Sequence, residues 1–317
     1  MSILIALIPA LAWGATGIVT TKMGGSAAQG TLGMTFGALL FALATFFGFV
    51  LPTYGAEFAM NPRIWVVGFI SGMAWTVGTA GQFVAFKKLG VSVGGPLSTA
   101  GQIVMNALLA ASLLGEWSTA KMWVIGLIAI VAIAAGAVLT ALPDPADKTV
   151  NTQQTQWTSG GIALIISTIG YMTYFIVPNL LRNAGYISNE IAGKDNGLAY
   201  ITGIVGPQAI GQVLGAFIIV IFFMKEGKTM FEIGTWRNIV TGLVWGIGNL
   251  FMFISAANPE IGQAMAATFS QLGVIVATFG GIYILGEKKT SRQMAMILVG
   301  TFLIVVGAIV ISNLATF

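Results

Sequence analysis

The chain has 317 residues, 56% of them hydrophobic and 8% charged, with a mean hydropathy of +0.91. A soluble domain carries about 25% charged residues, so this chain cannot be clothed in water and is read as an integral membrane protein. It has no Cys and no His, and its net charge of +4 is scattered over loops. That excludes disulfide frameworks, thiolate and imidazole chemistry and a basic nucleic-acid patch, and it calls for no metal and no cofactor.

The 14 basic and 10 acidic residues leave ten uncharged stretches, 1–21, 23–56, 64–86, 89–115, 122–143, 149–181, 196–224, 238–259, 261–286 and 293–317. Each supplies the roughly 20 mostly apolar residues of a spanning helix. Barrel strands would alternate over about ten residues instead. The first stretch lacks a basic amino-terminal region, so it reads as a retained helix rather than a cleaved signal. The two longest stretches carry polar ends, "GGSAAQG" and "NTQQTQWTSG", which read as loop.

Taken in chain order, the expected helices carry few polar residues, and those recur on shared faces. Trp13 stands mid-way along the first helix. In the third, Trp75, Thr79 and Gln82 fall at i, i+4 and i+7. In the fourth, Ser98, Gln102 and Asn106 fall at i, i+4 and i+8, an uncharged ladder of hydrogen-bond donors and acceptors on one face. The seventh holds Gln208 and Gln212 beside Pro207, where a kink would free a carbonyl. The eighth holds Trp245 and Asn249, and the ninth Thr268 and Gln271. Amides are costly in hydrocarbon and must find partners, so these residues either glue helices together or line a cavity. The same two readings hold for Trp13, Trp75 and Trp245, which can pack helices or offer an indole face to the apolar surface of a ligand. The other five tryptophans lie near helix ends, where interfacial belts are expected.

The chain repeats itself. "GMAWTVG" (72–78) matches "GLVWGIG" (242–248), "LLGEW" (113–117) matches "ILGEK" (284–288), and "IALI" recurs from Ile5 at Ile162. The pairs keep the same order, giving five helices in 1–142, a polar linker over 143–158 and five helices in 159–317. An odd number of helices per half turns the second half upside down. Inverted repeats of this kind are a transporter architecture with a midplane site between the halves. The fold class expected is therefore all-α, a polytopic membrane protein of ten transmembrane helices in two inverted five-helix repeats. Placing both termini outside puts ten of the basic residues inside, against four for the opposite choice, and the positive-inside rule favours the first.

The segments "ILIALIPALAWG", "TLGMTFGALLFAL", "GQFVAFKKLGVSVGGPLSTAGQIV" and "LLGEW" resemble the bacterial glucose/ribose uptake family of the drug/metabolite transporter superfamily. The similarity is nearest to members from lactic acid bacteria, strongest in the first half and weaker to the end. The resemblance implies ten helices, no ATPase, and inward movement of a monosaccharide across the bacterial plasma membrane.

The residues themselves agree with a neutral substrate. A phosphate carrier would place Lys or Arg at depth and a drug-cation exporter a buried carboxylate, whereas here every charge falls at a helix end or in a loop. The substrate-binding residues expected are thus Trp13, Trp75, Thr79, Gln82, Ser98, Gln102, Asn106, Gln208, Gln212, Trp245, Asn249 and Gln271. Glu116 and Glu287, repeat mates after the fourth and ninth helices, are either carriers of a coupling proton or loop caps paired with lysines; a uniporter needs neither. A metabolite or drug exporter of the same superfamily remains the alternative. An intramembrane enzyme lacks an evident catalytic group.

Overall fold

A computed structural model describes the backbone of residues 2–113, 115–142, 150–258, 261, 266 and 268–316, with the side chains of all but 150–155 and 256–257. The described residues form helices and turns, with no strand among them. The long helices are α1 (Ser2–Met23), α2 (Ala27–Ala59), α3 (Pro62–Leu89), α4 (Val91–Ser112), α5 (Ala120–Ala141), α6 (Val150–Asn183), α7 (Asn189–Phe223), α8 (Ile239–Ala257), α9 (Thr268–Tyr283) and α10 (Ser291–Ser312).

Eight of them are long and apolar enough to cross a bilayer, α4 and α9 being the exceptions. α4 has the length, but its apolar content is diluted by Gly94, Gly95, Gly101, Ser92, Ser98, Thr99, Gln102 and Asn106. α9 is a shorter apolar helix. α7 is interrupted at Lys194–Gly197 and again at Ile204, three residues before Pro207, whose missing N–H cannot continue the ladder. Both α2 and α7 pass through a π turn, at Phe46–Val50 and Ile219–Phe223.

Helix starts follow their capping residues. Ser26 with Gln29, and Thr290 with Gln293, form capping boxes; the Asn61 and Thr119 side chains accept from Arg63 N and Met122 N. Two stretches expected as loop differ. "GGSAAQG" is only a short turn, because Gly24 and Gly25 take positive φ and Ser26 caps α2 at once. "NTQQTQWTSG" is helical, part of a 34-residue α6. At 1.5 Å per residue that helix is about 50 Å long, well beyond the hydrocarbon core, so its polar end need not enter lipid. Part of the expected linker, 143–149, lies outside the described residues.

Because lipid tails are as apolar as side chains, helices in a membrane associate through close packing. A Cβ on Gly72 would overlap the Gln208 carbonyl oxygen of α7, and one on Gly242 would overlap the Met34 carbonyl oxygen of α2. Backbone therefore lies directly on backbone at both crossings. The other main pairings are α3 with α6, α8 with α1, α2 with α7, α4 with α6, α1 with α9, α5 with α10 and α4 with α9. Adding five to every helix number, with α10 followed by α1, turns this set into itself.

Candidate functional site

The pairings leave a cavity of about 530 Å³ among α1, α3, α4, α6, α8 and α9, within the size range of small-molecule sites. One part of its wall is aromatic. The rings of Trp75 and Trp245 have centroids 4.9 Å apart at 55°, and Tyr171 meets Trp75 edge-on at 6.4 Å. Trp13 Nε1 donates to the Trp245 carbonyl at 3.2 Å, fixing the indole across α8. The glycines closing the two G-x-x-W-x-x-G segments make room for these rings: a Cβ on Gly78 would collide with the Tyr171 ring, and one on Gly248 with the Trp13 indole.

Another part of the wall is a hydrogen-bonded ladder crossing three helices. Tyr171 Oη donates to Gln82 Oε1 at 3.1 Å, so the 3.1 Å contact with Thr79 has the threonine hydroxyl as donor. Gln82 Nε2 donates to Ser98 Oγ at 2.9 Å, and Gln102 Nε2 donates to the same oxygen at 3.1 Å. The ladder holds both glutamine side chains in place and leaves the Gln102 amide oxygen outside these bonds. Asn249 and Gln271 line other parts of the wall. Asn106 lines it too, and its buried Oδ1 has no hydrogen-bond partner among the described residues.

Among the described residues no Lys or Arg lines this cavity, and the one charged residue on it is the exposed Glu116. Its groups suit a neutral ligand with an apolar face and several hydroxyls, since indoles cover C–H surface while amides exchange hydrogen bonds in both directions.

Of the residues singled out from sequence, Trp13, Trp75, Gln82, Gln102, Asn106, Trp245, Asn249, Gln271 and Glu116 come together on this cavity. Thr79 and Ser98, both fully buried, stand one layer behind it and hold the ladder. Gln208 and Gln212 sit at the α3–α7 crossing instead: Gln208 Nε2 donates to Ser71 Oγ at 3.0 Å, and the Gln212 carbonyl accepts from Thr76 Oγ1 at 2.9 Å. Tyr174 of α6 faces the cavity. Glu287 lies beyond the other end, on a second cavity of about 500 Å³ lined by Lys87, Lys88, Lys288 and Lys289.

Sequence reading missed Tyr171, Tyr174, Thr16, Thr99 and Ser270, all on the cavity. Tyr171 faces Gly78 as Trp13 faces Gly248, but the match of Ile5 with Ile162 sets Gly170 rather than Tyr171 opposite Trp13, so the sequence carried no direct signal for it.

Fold and cavity together define a multi-pass helical membrane protein built around an internal chamber of aromatic and amide groups. Residues 4–314 match the protein family described as Sugar transport protein. The chain is 44% identical over 312 residues to a Lactiplantibacillus plantarum protein named for sugar uptake, covering 98% of this chain and 99% of that one. It is 35% identical over 311 residues to a Priestia megaterium protein named for glucose uptake, covering 98% of each. One solved crystal structure shares the fold at a TM-score of 0.54 with 16% identity, covering 99% of this chain and 98% of that chain. The chain belongs to the sugar transport protein family, a family of membrane transport proteins and not of enzymes.

Proposed function

We propose that the protein imports a neutral monosaccharide, glucose or ribose, across the bacterial plasma membrane by alternating access, with the 530 Å³ cavity as the substrate chamber. The observation that carries this reading is the meeting of two facing tryptophans with an oriented amide ladder in a chamber that no lysine or arginine among the described residues lines. In this reading α4 and α9 also span the membrane, their polar faces turned to the chamber rather than to lipid. The halves are inverted repeats, supported by the self-mapping helix pairings, the matching π turns of α2 and α7, and the paired G-x-x-W-x-x-G segments.

Both termini lie outside. The lysine-rich turns after α3 and α9 then face the cytoplasm, and the chamber, whose lining runs along α4 from Gly95 to Ala110 and on to Glu116, faces outward. Trp13, Trp75, Gln82, Gln102, Asn106, Trp245, Asn249 and Gln271 contact the sugar, and Thr79, Ser98, Gln208 and Gln212 act from behind or beside the wall. If transport is proton-coupled, Glu116 at the open mouth is the residue placed to carry the proton.

The test is counterflow of labelled glucose and ribose in proteoliposomes of the purified protein. Saturable exchange of one of them supports the reading. Absence of exchange for a whole panel of monosaccharides, with export of another metabolite instead, overturns it.

A further inference from the structure

The chamber stops short of the cytoplasmic end of α4, and what closes it there is specific. Gly95 of α4 lies against Ala277 of α9, and Gly281 of α9 lies against the Ser92 backbone. Beyond this contact the Glu287 carboxylate, carried on the turn that ends α9, reaches across to the first residues of α4. Its Oε1 accepts from Val91 N at 2.6 Å and its Oε2 from Ser92 N at 3.2 Å, and the Ser92 hydroxyl also donates to Oε2. Lys289 Nζ adds an ion pair at 3.8 Å.

A carboxylate on free helix-end N–H groups is favoured both by hydrogen bonding and by the helix dipole. The chain is shaped to admit it. Gly90 joins α3 to α4 with φ of 81°, and a Cβ there would stand 2.8 Å from Glu287 Oε2. The bond does more than cap a helix, because it ties α4 to α9, the two helices that approach each other over this end of the chamber.

Its repeat mate Glu116, at the matching place after α4, is exposed.

We propose that Glu287 is a gate latch. Its hold on Val91 and Ser92 keeps the cytoplasmic end closed and must break before sugar can leave inward. This rests on the transport reading for its purpose but not for its test. A ligand or step that opens the inner end must supply the free energy of the latch, and weakening the latch shifts the balance toward the inward-open form.

The chain has no Cys, so Thr99→Cys, one turn inside the Gly95 closure on the chamber wall, is a sole thiol. Labelling by a membrane-impermeant maleimide is followed from each face of oriented vesicles without sugar, with Gln156→Cys, exposed on the lysine-lined cavity, as the reference for that face. In the otherwise unchanged protein Thr99→Cys should react from the Glu116 face and be protected from the Glu287 face. Adding Glu287→Gln, or the milder Ser92→Ala, should raise its rate from the Glu287 face about fivefold or more relative to the reference, the equivalent of roughly one hydrogen bond. Equal rates from that face with and without both substitutions would overturn the latch, as would free labelling there before any latch substitution. Since no sugar is present, failure here leaves the uptake reading intact, and failed counterflow leaves the labelling result intact.

Discussion

Trp75 and Trp245 come from the same position of the two G-x-x-W-x-x-G segments, and their rings meet with centroids 4.9 Å apart in the middle of the molecule. They are not in the same environment. Trp75 is 2% exposed, wedged against Tyr171, whereas Trp245 is half-buried and more open to the chamber. Their substitutions should therefore separate. Trp245→Ala is expected to weaken sugar affinity about tenfold with normal insertion. Trp75→Ala adds a packing loss of about 3–5 kcal/mol, so Trp75→Phe is the cleaner probe. Ligand-induced thermal shift on purified variants reads affinity, and the unliganded melting temperature reads packing.

The amide ladder gives a second prediction. Tyr171→Phe removes the donor to Gln82 and the acceptor for Thr79, leaving the buried Thr79 hydroxyl unpaired at about 1–3 kcal/mol and the half-buried Gln82 amide untethered. Sugar affinity should fall about tenfold through a mobile Gln82. Thr79→Val, which removes only the outer link, should cost less. Gln102→Ala should also cost about tenfold in affinity. Isothermal titration with the transported sugar checks all three; a Tyr171→Phe affinity equal to that of the unchanged protein would remove the ladder from recognition.

Helix packing gives a third. Gly72→Ala and Gly242→Ala each push a methyl into a backbone carbonyl of a facing helix, and overpacking of this kind costs about 1–3 kcal/mol. Gly161 in α6 has no neighbour near a built Cβ, so Gly161→Ala should be neutral or slightly stabilising. Melting temperatures in detergent should drop for the first two variants alone.

Coupling gives a fourth. If Glu116 carries a proton, Glu116→Gln should abolish uphill accumulation while sparing counterflow exchange. Unchanged uphill accumulation would exclude Glu116 as the proton carrier, whereas no uphill accumulation in the unchanged protein would assign it to facilitated diffusion.

The sequence exposed the membrane class, most helix positions and the Trp, Gln and Asn residues of the chamber wall, because in a chain this apolar each Gln, Asn or mid-helix Trp stands out against its background. Polar residues at helical spacing share a face, but spacing does not say which neighbour that face meets. Gln208 and Gln212 pass the same pattern test as Gln102, yet their face meets α3 at a glycine crossing. Ser98 looked like a ligand contact and is instead consumed by two glutamines. Tyr171 and Tyr174 were overlooked because tyrosine does not break an aromatic-rich helix. Glu287 carried both a coupling and a capping reading, and only the fold brings it within reach of Val91.

The central claim is that a neutral monosaccharide occupies the chamber between Trp75 and Trp245. The most direct measurement is the quenching or shift of indole fluorescence by glucose and ribose in a protein keeping Trp13, Trp75 and Trp245, with the five helix-end tryptophans replaced by Phe. A saturable signal from one sugar, lost in Trp245→Phe and weakened about tenfold in Gln102→Ala, is the expected result. A saturable signal that survives unchanged in both variants would place the sugar elsewhere and contradict the account.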